Sequence, residues 1–189
     1  MTQVPSIRTP VSLLAAVEAF WFAHQDVIGG FCETLLLETL TIQFDVECAG
    51  GDECFDYDLG NMRGAGDIGT QAIRGANEII GGKVVTGSAV EGGFAAFSSA
   101  RAGAQAMIKF LGVASHPPLP NRFAGAWEAA KIGDLPEYAH QLSKDVQGPR
   151  AYFTANTGVY AAGLLSRRPR CRAAVDTFLV SLQPEPDRV

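Results

Sequence analysis

Residues 42–64 read IQFDVECAGGDECFDYDLGNMRG. An apolar helical run closes on Glu47. Cys48, the Gly50-Gly51 pair and Cys54 follow, and an aromatic, Asp-rich turn leads into Asp58-Leu59-Gly60-Asn61-Met62-Arg63. A carboxyl group placed where an apolar helix opens into a glycine-rich loop is expected to have a raised pKa, because partial burial disfavours its charged form. The negative end of the helix dipole acts in the same direction. A carboxylic acid that keeps its proton near neutral pH is what general acid catalysis requires. Glu47 is therefore the candidate catalytic acid; the plain alternative is an exposed carboxylate at a helix end. Asp58 and Asn61 read as loop-orienting residues through side-chain to backbone bonds.

Working outward, Leu36, Leu37, Leu40, Phe44 and Glu47 fall roughly on one side of a helix expected over about 33–46. Ser12 is placed to cap a helix over 13–27 that Gly29-Gly30 stops. Residues 1–10, with Pro5 and Pro10, read as a leader, and residues 48–69 as loop. From Thr70 to Phe97, short β-type pieces such as Asn77-Glu78-Ile79-Ile80 and Lys83-Val84-Val85-Thr86 are separated by glycine pairs, the pattern of a small hairpin unit. Helices are expected over 100–111, 123–132, 135–144, 158–167 and 172–182. A rigid connector at His116–Pro120 and a flexible tail at 183–189 complete the chain. The pattern is an α+β fold in one domain, 11–182: a mostly helical body, a β-hairpin lobe at about 70–97, and a cleft between them.

Composition sets the outer limits. With 189 residues, 47% apolar and 19% charged, the chain can bury a core unaided. Fifteen basic against 20 acidic residues give a net charge of −5, without the basic excess of a nucleic-acid-binding protein. No stretch reads as a membrane span: Val11–Ala23 is short and contains Glu18, which also spoils it as a signal peptide. Neither GxGxxG nor a Walker pattern occurs, and His24, His116 and His140 are scattered without triad spacing. The four cysteines, Cys32, Cys48, Cys54 and Cys171, include no CxxC pair, so neither a metal nor another cofactor is expected. Cys48 and Cys54 flank the loop after Glu47; a disulfide between them would clamp that loop and imply an oxidising compartment, the alternative being buried thiols.

Four blocks in order carry a resemblance: Ile42-Gln43-Phe44-Asp45-Val46-Glu47; Asp58-Leu59-Gly60-Asn61-Met62-Arg63-Gly64; Phe94-Ala95-Ala96-Phe97-Ser98-Ser99; and Tyr152-Phe153-Thr154-Ala155 with Tyr160-Ala161. Together they are similar to the glucosaminidase-type peptidoglycan hydrolases of glycoside hydrolase family 73, which include a flagellar muralytic domain. The resemblance implies a lysozyme-like fold and hydrolysis of the β-1,4 bond after N-acetylglucosamine, with Glu47 as general acid. A muramidase or phage-type lysin, or an inactive glycan-binding domain of the same fold, are the alternatives. The family's second acidic residue corresponds to Glu78, with Glu91 or the substrate's own acetamido group as the other options. Tyr57, Asn61 and Tyr152 are the candidate substrate-binding residues, with packing the alternative for Tyr57. The family's Gly-Trp-Gly after the glutamate is Ala49-Gly50-Gly51 here, so one sugar-stacking aromatic is lacking. Without an ordinary signal peptide, the resemblance further implies secretion by a dedicated machine such as type VI, action in a target cell's periplasm, and a cognate immunity protein that occludes the cleft.

Overall fold

Ser12 opens the first helix as its sequence indicates, its Oγ accepting from the Ala15 N–H at 3.2 Å. A computed structural model describes residues 2–62, 64–71, 77–80, 83–86, 93–113, 121–153 and 155–183, of which 77–80 and 83–86 by their backbone. Helix α1 (Leu13–Val27) is followed by Gly29 and Gly30 at φ +87° and +71°, a left-handed turn that suits glycine. Helix α2 (Thr34–Glu47) is the rod around which the body is built. A one-sided apolar stripe was the expectation; instead every residue from Leu36 to Asp45 is buried.

Burial on all sides requires a partner for each polar side chain of α2. Thr41 Oγ1 donates to the Leu37 carbonyl at 2.8 Å and Thr39 Oγ1 to the Ala130 carbonyl at 3.3 Å. Gln43 Oε1 accepts from the Tyr138 hydroxyl. Glu38 accepts from Arg168 Nε and Arg172 Nη1, both at 2.7 Å. Asp45, fully buried, accepts from Arg170 Nε at 2.6 Å and Nη2 at 2.7 Å, with Arg167 Nε 3.5 Å away.

Those arginines all belong to helix α7 (Thr157–Ser181), which packs along α2. Two helices were expected here, parted near Pro169, but α7 is continuous through it. A proline removes one N–H and crowds the preceding turn. Pro169 and Leu165, whose carbonyl loses its partner, are both exposed, so water can satisfy that carbonyl. Cys171, Val175 and Phe178 meanwhile hold the other face of α7 in the core. Helix α3 (Ala100–Gly112) lies against α1, and α4 (Ala124–Ile132) and α5 (Leu135–Leu142) against α2 and α7 respectively. A single turn, α6 (Lys144–Gln147), follows α5, so the helix expected over 135–144 is broken at Ser143. Phe20 and Phe44 are fully buried at the centre of this body, each contributing about 1.5–3 kcal/mol by leaving water.

The β part is small. Strand β1 (Gln3–Val4) pairs in parallel with β2 (Gly69–Gln71), which pairs antiparallel with β5 (Ala95–Ala96). Strands β3 (Asn77–Ile80) and β4 (Lys83–Thr86) form a separate antiparallel hairpin, Ile80 opposite Lys83 and Asn77 opposite Thr86, closed over two residues as the Gly81-Gly82 pair indicates. The architecture is α+β, with the helical body and a small β part as expected. Ala72–Arg74, Glu91, the His116–Pro120 connector and the tail from residue 184 lie outside the described residues.

One expectation is corrected, at the cysteines, and the segment expected as a leader is tied to the fold from Gln3 to Thr9. Beyond β1, the Ile7 N–H donates to both Asp56 carboxylate oxygens at 3.2 Å. Thr9 N–H donates to the Cys54 carbonyl and Asp56 N–H to the Ile7 carbonyl, each at 2.8 Å. Pro5 and Pro10 flank this segment without removing the donors it uses. The same bonds hold the loop after Glu47, the task that a Cys48–Cys54 disulfide was expected to perform. No disulfide forms: all four cysteines are buried thiols. Cys48 Sγ turns instead toward the Asp58 and Leu59 carbonyls, 3.5 and 3.7 Å away. Burial pushes the Cys32 and Cys171 thiols up to about 12, and a buried thiol without thiolate character is inert. We expect a thiol-reactive dye to label the native protein slowly and to count four thiols after denaturation without reductant; a count of two would restore the bridge.

Candidate active site

Glu47 is the last residue of α2 and is half-buried. The loop that follows bends back over it. Ala49, Asp56, Tyr57 and Asn61 have φ between +46° and +53°, and among the described residues they are the only non-glycines with positive φ. Left-handed backbone costs a non-glycine about 1–2 kcal/mol, and such strain concentrates at functional sites. Gly103 lets α3 approach this loop: a Cβ there would stand 2.0 Å from the Tyr57 carbonyl oxygen.

The bend is locked by side chains. Asp58, fully buried, accepts from the Met62 N–H at 2.8 Å, the local bond its sequence position suggested. That turn presents Asn61, whose Nδ2 donates to the Glu47 carbonyl oxygen at 2.8 Å and reaches Glu47 Oε2 at 3.3 Å. Tyr160, on the first turn of α7, donates its hydroxyl to Glu47 Oε1 at 2.6 Å. Its ring stacks on Phe153, centroids 4.0 Å apart. From residue spacing alone Tyr160 reads as a core residue; it is buried, and its hydroxyl is also the nearest grip on the acid. Tyr152 donates to the Gly60 carbonyl, on the loop beside the acid.

Three tyrosines therefore surround the end of α2, Tyr138 and Tyr160 buried and Tyr152 half-buried. Burial, then the charge of Glu47, raises Tyr138, Tyr152 and Tyr160 above the ordinary tyrosine value. All three stay protonated donors at any pH where the protein works. Because their folded pKa lies above the unfolded one, their contribution to stability is complete below pH about 10 and is lost as pH rises further. In an alkaline titration followed by absorbance near 295 nm, we expect these three of the four tyrosines to ionise only as the chain unfolds. Ionisation of more than one tyrosine while the helical circular dichroism is intact would contradict this.

A groove of ≈ 510 Å³, lined by Asn61 and Tyr152 among others, lies between the β5 region and the helical body. Phe97 and Phe110 form its apolar walls, and Arg122 and Arg150 also line it. Of the residues singled out from sequence, Glu47, Asn61 and Tyr152 are brought together. Tyr57 is not: half-buried, it packs against the core and does not line this groove. Glu78 stands on β3 opposite Val85; its side chain lies outside the described residues, as does Glu91. Among the described residues no group of three or more His, Cys, Asp or Glu is placed to hold a metal, and no helix is long and apolar enough to cross a membrane. Compared with models of protein families, with curated proteins and with solved structures, the chain matches none.

Proposed function

We propose that this protein is a glycoside hydrolase of lysozyme-like fold that cleaves the β-1,4 bond of peptidoglycan strands, as an N-acetylglucosaminidase, with Glu47 as general acid. The observation that carries the reading is a carboxyl group at a helix end, gripped by Tyr160 on Oε1 and Asn61 on Oε2 beside a groove that Asn61 also lines. Glu47 gives its proton to the glycosidic oxygen, the C1–O bond breaks with its electron pair leaving on that oxygen, and water adds at C1, its proton passing to the second carboxylate or back to Glu47. Stabilisation of the cationic C1 falls to a second carboxylate, for which Glu78 is the candidate, or to the neighbouring acetamido oxygen. Tyr160 and Asn61 are positioning residues that hold the acid in one orientation, the geometric half of general acid catalysis.

The test is purified cell-wall sacculi treated with the protein. We expect new reducing ends, with mass spectra of the soluble fragments placing N-acetylglucosamine at that end; no reducing ends at all would sink the proposal, and muramic acid there would turn it to a muramidase. Tyr160→Phe is expected to keep the fold and lower kcat roughly 10-fold, about the worth of one hydrogen bond to a charged group, with KM little changed. A change in KM alone would assign Tyr160 to substrate binding. On the same reading the protein acts in the periplasm of a target cell after secretion by a dedicated machine, and an immunity protein that fills the groove protects the producer. Inhibition of sacculus hydrolysis by a protein bound across Asn61 and Tyr152 is the corresponding measurement.

A further inference from the structure

Arg122 and Arg150, which line the groove, have no task in the proposed chemistry. Five other arginines of the described chain, Arg101, Arg167, Arg168, Arg170 and Arg172, each pair with a carboxylate, and Arg8 donates to the Asp52 carbonyl. Arg122 and Arg150 line one groove, repel each other, and pair with no carboxylate among the described residues. Both arginines are exposed, and no acid of the described fold pairs with either. Arg122 is held in place by rings instead: its guanidinium carbon lies 4.3 Å from the centre of Phe123 and 5.7 Å from that of Phe110. Its backbone carbonyl accepts from Gln147 Nε2 at 3.2 Å. A guanidinium stacked by its face keeps its N–H edge for a planar anion, the geometry that suits a carboxylate.

We propose that Arg122 and Arg150 form a carboxylate-binding subsite that seats the stem peptide of peptidoglycan beside the bond Glu47 cleaves. This rests on the hydrolase reading above. In an intact wall the lactyl carboxyl of muramic acid is consumed in the amide bond to the peptide, so the anionic groups that branch from the glycan are peptide carboxylates. The groove that Asn61 and Tyr152 line has four alanines, Ala65, Ala95, Ala106 and Ala151, suited to small side chains, and carries both cations. The enzyme thereby distinguishes peptide-bearing glycan from plain N-acetylglucosamine polymers.

The experiment measures binding of the N-acetylglucosaminyl-N-acetylmuramyl tetrapeptide by calorimetry to the parent protein, to Arg150→Gln and to Arg122→Gln/Arg150→Gln. Arg150 is exposed, so its single variant keeps the test sound should loss of the Arg122 stack disturb folding. We expect about tenfold or more weaker binding by the double variant and a smaller loss in the single one, on the scale of charged hydrogen bonds. Tetra-N-acetylchitotetraose is expected to bind all three proteins alike. Equal binding of the tetrapeptide form by parent and variants, or equal affinity of the parent for the disaccharide without its peptide, would overturn the subsite. If the double variant hydrolyses sacculi with unchanged KM, the subsite fails while the hydrolase reading stands. If the parent binds the tetrapeptide form through the arginines yet releases no reducing ends, the hydrolase reading fails and the subsite stands.

Discussion

Glu47→Gln is expected to lower the release of reducing ends from sacculi by about 10²–10⁴-fold, the usual worth of a general acid, while leaving the thermal midpoint within a few degrees. The substitution keeps shape and length and removes only the transferable proton. Its carbonyl oxygen can still accept from Tyr160, whose hydroxyl lies 2.6 Å from Oε1. The new amide nitrogen faces Asn61 Nδ2 in place of Oε2, a weak 3.3 Å contact to lose. The stronger bond from Asn61, 2.8 Å to the backbone carbonyl of residue 47, is untouched. Activity and stability are thus separated, unlike in a core substitution. Sacculi hydrolysed equally by the glutamine variant would remove Glu47 from the chemistry. Loss of activity together with a collapse of the melting temperature would mean that residue 47 serves the fold.

The second large effect is on stability. Asp45 is fully buried, and Arg167 and Arg170 of α7 supply its countercharge. Removing both arginines leaves a carboxylate inside the helical body with only the weak Cys171 S–H donor, 3.7 Å from Oδ2, beside it, a situation that costs about 3–5 kcal/mol. For a chain of this size that corresponds to a drop in Tm of roughly 6–20 °C. Arg167→Ala/Arg170→Ala should show it in a thermal melt, and adding Asp45→Asn in that background should restore most of the loss, because the buried charge is then gone. An unchanged melt of the double variant would show that the pair contributes nothing net. Failure of asparagine to rescue would place the cost in packing of the arginine stems over the core.

Much of the architecture was legible because its signals are local. Ser12 with Gly29-Gly30 bounds α1, Ser99 opens α3 through its bond to the Ala102 N–H, and paired glycines mark the hairpin. Each of these acts within a few residues, through a cap or a turn. Glu47 stood out for the same reason, as a carboxyl at the point where a helical pattern gives way to glycine. The N-terminal strand and the passage of α7 through Pro169 were not legible. In both, a long-range partner outweighs a local signal: strand β2 for residues 3–4, and the core under Cys171 and Phe178 for the proline.

By itself, then, the sequence determined the order and limits of most helices, the hairpin, and the acid at the mouth of a glycine-rich loop, since these depend on neighbours along the chain. What α2 is could be decided only by packing. Asp45 and Glu38 are unremarkable acids until α7 brings four arginines to them across 122 to 134 residues. Tyr160 is a plausible core residue until the same packing lays its hydroxyl on Glu47, 113 residues away. A hydrogen bond senses a few ångströms of space and is blind to chain separation, so the partners of the acid belong to the tertiary structure alone.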